Sequence, residues 1–315
     1  MSNTQNPFII NEFVNSLLIG VRYKGEEIKQ FIPAKLLNKE LKAIKDDTYR
    51  SNHPMGWLAK TVTLCIEEFD GGFESRSYYQ KYKKIPDIVQ QLTLTDASYV
   101  LLYGHVWNFG PVINNVVARC INPSCRAYNT FSINIEEIAT SIIKFRNLDL
   151  NIDSKILVVL EEPITLPKSQ IKFSRDIIVT ALEFRLPRII DALSCEKYYA
   201  DGESGTFIER LLWSCLTTIY EQDPTLSEAE IESALMSKDN AFIPIDEDIK
   251  DRLDYTFIEN FTVKNAAALE RKFAEISPDI DTSVNKQCKR CSEDILVRVS
   301  QNFLFGLDSV ILTRS

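Results

Sequence analysis

Four of the seven cysteines fall into two close pairs, Cys120-Ile-Asn-Pro-Ser-Cys125 and Cys288-Lys-Arg-Cys291. A C-x4-C and a C-x2-C together offer four thiolates, the soft donor set that encloses Zn2+ tetrahedrally. Either spacing can wrap the backbone around one metal so that its amides point at sulfur. Four protein ligands leave no position for water, so such a metal would hold the fold and not catalyse. The same residues are open to two other assignments: four unrelated core thiols, or an isolated redox pair at Cys288 and Cys291. A redox C-x-x-C belongs at a helix N-terminus after a strand, where the dipole lowers a thiol pKa. Here each pair is followed by alternating apolar residues, Phe131, Ile133 and Ile135 after the first and Ile295, Val297 and Val299 after the second. Two knuckles feeding two strands is the layout of a zinc ribbon. Cys65, Cys195 and Cys215 sit among Leu, Ile and Trp and read as small buried hydrophobes.

Other reactive constellations are sparse. His53 and His105 are the only imidazoles, so a Ser-His or Cys-His pair has few options. Ser283 with Lys286 matches S-x-x-K and Tyr79 with Lys83 matches Y-x-x-x-K, both without their expected contexts. Glu67/Glu68 and Glu161/Glu162 are sequence neighbours, which point apart on a helix or a strand and read as solvated surface. The segment from Phe73 to Lys84 interleaves Arg76, Lys81, Lys83 and Lys84 with Tyr78, Tyr79 and Tyr82. That composition suits an exposed loop, a protein-binding surface or a nucleic-acid platform. No G-x-G-x-x-G or P-loop occurs, and the 10 glycines are under half the usual share of about 7%.

The elements that must position the cysteines are read from periodicity. Ala34 to Ile44 after Pro33 places Leu36, Leu37, Leu41 and Ile44 on one helical face, and Leu58, Val62, Cys65 and Ile66 form a second stripe. Thr95 is a candidate N-cap, with Asp96 complementing the dipole of a helix that carries Tyr99, Val100, Leu102, Tyr103 and Val106 and stops at Gly110-Pro111. Ile156 to Leu160 is a strand candidate, and Ile164/Leu166 and Ile171/Phe173 flank a Pro-Lys-Ser turn. A helical section is then expected through Ile177, Ile178 and Leu182 and through Ile208, Leu211, Leu212, Cys215 and Ile219. Another is expected at the Ser227/Glu230 capping box, and one beginning at Thr262 or Asn265 and ending before Pro278.

The expected fold is α+β, predominantly helical, with a small β/zinc-ribbon element joining residues near 120 to the C-terminus. Residues 1–118 would form a mainly helical domain. Residues 119–315 would form the ribbon domain, with a long helical insertion between the cysteine pairs. A formal net charge of −8 argues against a broad nucleic-acid footprint. Residues 1–20 have no cationic start before their apolar residues and do not read as a secretory signal, and an odd cysteine count argues against a disulfide scaffold. The uncharged stretch 97–118 contains His105, three Asn, two Gly and Pro111, which favours a buried segment over a membrane span.

The order of these features resembles the baseplate hub and tail-assembly proteins of T-even-type tailed bacteriophages. The resemblance runs over about residues 50 to 305. It is carried by Leu92-Thr-Leu-Thr-Asp96 leading into Tyr99-Val-Leu-Leu102, the first cysteine pair and Ile135-Glu-Glu-Ile138. Ile164-Thr-Leu-Pro167, Phe184-Arg-Leu-Pro187, the second pair and Phe303-Leu-Phe305 follow. Two positions depart from the pattern: Arg126 and Ser292 stand where the family has glycine after each knuckle, so a left-handed turn would fall to residues that disfavour it. Leu304 also separates two aromatics that are adjacent in the family. The resemblance implies a non-enzymatic structural or assembly subunit, made in the host cytoplasm and placed in the virion tail baseplate. Its partners would be other tail and baseplate proteins, with no membrane, no small-molecule substrate and no nucleic acid. Cys120, Cys125, Cys288 and Cys291 would be ligands of a structural Zn2+. Arg76, Tyr78, Tyr79, Tyr82, Phe303 and Phe305 are candidate partner contacts. The competing expectation is a zinc-ribbon regulator that binds nucleic acid through residues 73–84.

Overall fold

The computed structural model describes residues 14–138, 150–168, 175–200, 206–222, 242–245, 248–254, 256–276 and 283–298. By contacts the chain divides into two compact units, Met1–Ile152 with Arg188–Ile190 and Pro278–Ser315, and Asp153–Pro187 with Asp191–Ser277. Residues 118 and 119, where the sequence suggested a boundary, lie together in one strand of the first unit.

In the first unit β1 (Ser16–Tyr23), β2 (Glu26–Pro33), β3 (Ile66–Phe69) and β4 (Phe73–Glu74) form an antiparallel sheet in chain order. Lys24 and Gly25 join β1 to β2 with φ of 50° and 86°, the paired positive values of a two-residue type I′ hairpin. Helices α1 (Asn38–Ile44), α2 (Asp47–Asn52), α3 (Pro54–Cys65), α4 (Arg76–Tyr82), α5 (Asp87–Gln90) and α6 (Leu94–Phe109) belong to the same unit. Helix α6 is buried almost all round, from Tyr99 to Val106, and packs on α3 and β1. A Cβ at Gly104 would lie 2.7 Å from Cys65 Sγ, so this glycine sets how closely α6 approaches α3. Burial pushes the Cys65 thiol up to about 12, as befits a core residue.

The cap of α6 is Thr93, not Thr95: the Thr93 hydroxyl accepts the amide of Asp96 at 3.1 Å. Asp96 does more than face the helix dipole. Its carboxylate accepts the backbone amides of Leu18 at 2.7 Å, Ile19 at 3.0 Å and Gly20 at 3.1 Å, in a fully buried position. Those three consecutive donors lie where the register of β1 against β2 shifts, so the strand cannot satisfy them by pairing alone.

Two hairpins complete the described part of this unit: β5 (Val112–Arg119) with β6 (Tyr128–Asn134), followed by a 3-10 turn at Ile135–Ile138, and β11 (Ser283–Gln287) with β12 (Asp294–Arg298). Alternation is strict on β6, where Asn129, Phe131 and Ile133 point inward.

The second unit holds the sheet β10-β9-β8-β7, made of β7 (Lys155–Leu166), β8 (Ile177–Arg185), β9 (Leu216–Gln222) and β10 (Phe242–Pro244). Its helices are α7 (Ile189–Ala200), which begins within the first unit's residues, α8 (Phe207–Cys215), α9 (Asp248–Arg252), α10 (Thr256–Glu259) and α11 (Val263–Ile276). Helix α11 lies on the edge strand β7. The buried amide of Asn265 accepts Glu162 N–H at 3.0 Å and donates to Glu162 C=O at 2.7 Å, closing that edge as another strand would.

The fold is therefore mixed and not predominantly helical: among the described residues strand is nearly as extensive as helix, and the described strands form four antiparallel sheets. Two stretches account for most of the correction. Residues 16–33, expected to belong to a helical domain, form a hairpin. Ile177, Ile178 and Leu182, expected on a helix, lie in β8, where Val179 to Leu182 are buried consecutively. A strand covered on both faces loses its alternation and can no longer be told from a buried helix by period. The Ser227/Glu230 capping box and Ile171/Phe173 lie outside the described residues. Among the described residues, no helix is long and apolar enough to cross a membrane, and the uncharged stretch 97–118 is divided between α6 and β5.

Candidate metal centre

Each cysteine pair forms the tip of a hairpin. At the first, Cys120 N–H donates to Ala127 C=O at 2.8 Å, and the amides of Cys125 and Arg126 turn back onto Asn122 C=O at 3.0 Å. At the second, Cys288 N–H donates to Glu293 C=O at 2.8 Å and Ser292 N–H to Cys288 C=O at 2.9 Å. Asn122 tightens the longer loop by accepting the amide of Ser124 on its side chain at 2.9 Å.

The two tips meet. Cys120 Sγ lies 3.6 Å from Cys291 Sγ, Cys125 Sγ lies 3.7 Å from Cys288 Sγ, and all four sulfurs fall within 4.8 Å of one another. Four sulfurs about 2.3 Å from a tetrahedral Zn2+ would stand about 3.8 Å apart, whereas a disulfide needs about 2.05 Å. The spacing is compatible with a shared cation and not with a disulfide. No protein-family model, curated protein or solved structure matches the chain. The four-cysteine cluster is thus described by its own geometry, which is compatible with a zinc site.

The electrostatic environment differs among the sulfurs. The amide of Arg290, helped by that of Cys291 and by Asn129, draws the Cys288 thiol down to about 6. Burial raises Cys120 against the pull of the Asn122 amide. At Cys291 the Glu293 amide favours the thiolate, but burial and the other three sulfurs outweigh it and push the thiol up to about 12. A dication held among the sulfurs would favour their thiolate forms.

The isolated redox pair does not fit this arrangement. Cys288 and Cys291 sit on a hairpin tip and not at a helix N-terminus, and the shortest sulfur contacts cross between the knuckles. Arg126 and Ser292 do take the left-handed turns, with φ of 47° and 60°. A non-glycine residue is strained there. Arg126→Gly and Ser292→Gly are therefore each expected to stabilise the protein by about 0.5–1 kcal/mol in urea denaturation, with metal content unchanged.

The other sequence candidates separate by environment. Arg76 is directed inward, donating to Glu40 at 2.9 Å and to Glu67 at 2.9 Å, with Gln80 also on Glu40. Burial alone would raise the Glu40 carboxyl, but the Leu37 amide, Arg76 and Gln80 hold it below its ordinary value. Tyr78 and Tyr79 are half-buried, while Tyr82 is exposed with its ring 4.7 Å from that of Tyr78. Phe303 and Phe305 lie outside the described residues. Lys286 of the S-x-x-K pattern is bound to the Glu137 carboxylate at 2.7 and 2.8 Å. His105 is buried in α6 and His53 is exposed ahead of α3. Glu161 and Glu162 pair separately with Arg271 and Lys264.

Sequence reasoning passed over Asn129 and Lys289. Asn129 is 3% exposed and takes an inward position on β6, in line with Phe131 and Ile133. A polar side chain in an otherwise apolar inward stripe was the available signal for it. Its amide donates to Cys288 Sγ at 3.5 Å and to Ala127 C=O at 3.1 Å, and its carbonyl accepts Lys289 N–H at 2.9 Å. The Lys289 ammonium in turn donates to Thr130 C=O at 2.8 Å. Both residues tie the second knuckle to the strand that leaves the first.

Proposed function

We propose that this chain is a structural or assembly component of a tailed-phage baseplate hub, acting through protein contacts and held together by a structural Zn2+. The observation that carries the structural-metal part is the convergence of Cys120, Cys125, Cys288 and Cys291 from two hairpin tips to within 4.8 Å. A closed four-thiolate shell keeps no position for substrate or water, which favours a scaffolding role over catalysis. The baseplate part is supported by the resemblance in element order and in the split cysteine pairs. The alternative of a nucleic-acid-binding regulator draws less support, because the arginine of segment 73–84 is engaged by Glu40 and Glu67.

The test is binding in two formats at rising salt. The purified full chain is mixed with the baseplate hub and tail-tube proteins of a T-even-type phage, and separately with DNA and RNA. The assembly role predicts a complex with a hub or tail protein that survives high salt, since apolar interface cores are little screened. Binding to nucleic acid alone, falling steeply with salt, would overturn it in favour of the regulator.

A further inference from the structure

We infer that Asn129 is a positioning residue of the metal centre, which makes the two knuckles act as one four-sulfur site. The inference rests on the metal-centre reading above and assigns a role to a residue outside the ligand set. Asn129 stands on β6, beyond the first knuckle, and is buried. Its three polar contacts all serve the junction: Ala127 of its own hairpin, the backbone amide of Lys289 inside the second knuckle, and the sulfur of Cys288.

The Lys289 amide lies one residue after Cys288, so the carbonyl of Asn129 fixes the path of the second knuckle. Its N–H group at the same time orients the Cys288 sulfur and withdraws some electron density from it. One planar amide thus holds both the backbone and the ligand of the opposite hairpin in register with its own. Lys289 with Thr130 on β6, and Lys286 with Glu137 on the 3-10 turn after β6, add polar contacts to the second hairpin, but neither of those bonds reaches a sulfur.

The experiment uses the full chain loaded with Zn2+ or Co2+. Zinc release to a colorimetric chelator and the thiolate-to-cobalt charge-transfer band are measured for wild type, Asn129→Ala and Asn129→Asp. Removing an outer-shell partner typically lowers metal affinity about tenfold to a hundredfold, and a loss of that size is expected for Asn129→Ala. Its charge-transfer band should move to lower energy, because a sulfur without its N–H partner gives up charge more readily. Asn129→Asp has nearly the same shape and keeps the acceptor for Lys289 N–H but cannot donate to Cys288 while ionised. It is expected to lose affinity as well, and its charge-transfer band should also move to lower energy, a readout at the sulfur that loss of the Ala127 or Lys289 contact alone would not move; it carries the test if the alanine variant is insoluble. Release rates and bands indistinguishable from wild type in the soluble variants would overturn the inference. If wild type itself shows no thiolate–cobalt band, the metal centre fails and the role of Asn129 with it.

Discussion

Stripping the metal with a strong chelator is expected to abolish the native fold of the unit that carries both knuckles, with loss of its near-UV circular dichroism and of its cooperative melting transition. The two hairpins are small, and below the sulfurs the side-chain polar contacts between them are those of Asn129 and Lys289, with Lys286 reaching Glu137 on the 3-10 turn after β6. Structural zinc sites contribute about 10–16 kcal/mol in peptides, comparable with the whole stability of about 5–15 kcal/mol of ordinary proteins. Losing that term leaves four close sulfurs with no cation between them. Cys288→Ser should lack the same cooperative transition, because a serine hydroxyl does not ionise and is a poor zinc ligand. Restoring Zn2+ after chelation should restore the wild type but not the variant. Unchanged melting of both would show that the sulfurs are neighbours without a shared metal.

The second large effect lies far from the cysteines. Asp96→Ala is expected to destabilise the protein by about 3–5 kcal/mol, since it strands buried amides at Leu18, Ile19 and Gly20, and each unsatisfied buried group costs about 1–3 kcal/mol. At about 2–4 °C per kcal/mol for a unit of this size, the melting temperature should fall by roughly 6–20 °C. The same residue has a pH signature. Burial, opposed by the amides of Ile19, Leu18 and Gly20 and by Thr93, raises the Asp96 carboxyl from 3.8 to about 6. A carboxyl raised in the folded state favours folding most when protonated. Its contribution is therefore fully present below pH 3.8, is lost as pH rises through about 6, and is constant above that. Asp96→Asn should remove this dependence, so the wild-type-minus-variant difference in urea denaturation should change between about pH 4 and pH 6.5 and be flat above. A difference that stays constant across that range would contradict the assignment.

What could be read from the chain depended on whether a residue's pattern survived its environment. The knuckles were legible because cysteine pairs at C-x4-C and C-x2-C spacing stand out in a sequence whatever packs around them. Phe131 and Ile133 on β6, and Ile295 and Val297 on β12, were legible because each strand buries one face. Helix α11 was announced by Thr262, whose hydroxyl accepts the amide of Asn265 at 3.3 Å. Strand β8 was not, since burial on both faces erased its period, and β1 with β2 escaped because the decisive signal is only two residues long, Lys24-Gly25. The helix expected from Ala34 starts only at Asn38. At the site, the four cysteines were legible, whereas Asn129 left only the weak signal of a polar residue in an apolar inward stripe, and its role became visible only with the opposite hairpin beside it.

The most direct test of the account is to measure zinc and thiol reactivity together on the native full chain. Cys125 is half-buried and Cys291 exposed, so without a metal both should react with a thiol reagent. One zinc per chain is expected, with Cys125 and Cys291 unreactive until a chelator is added and reactive at once afterwards. Protein that carries no zinc, with both of these thiols reacting freely in native buffer, would contradict it.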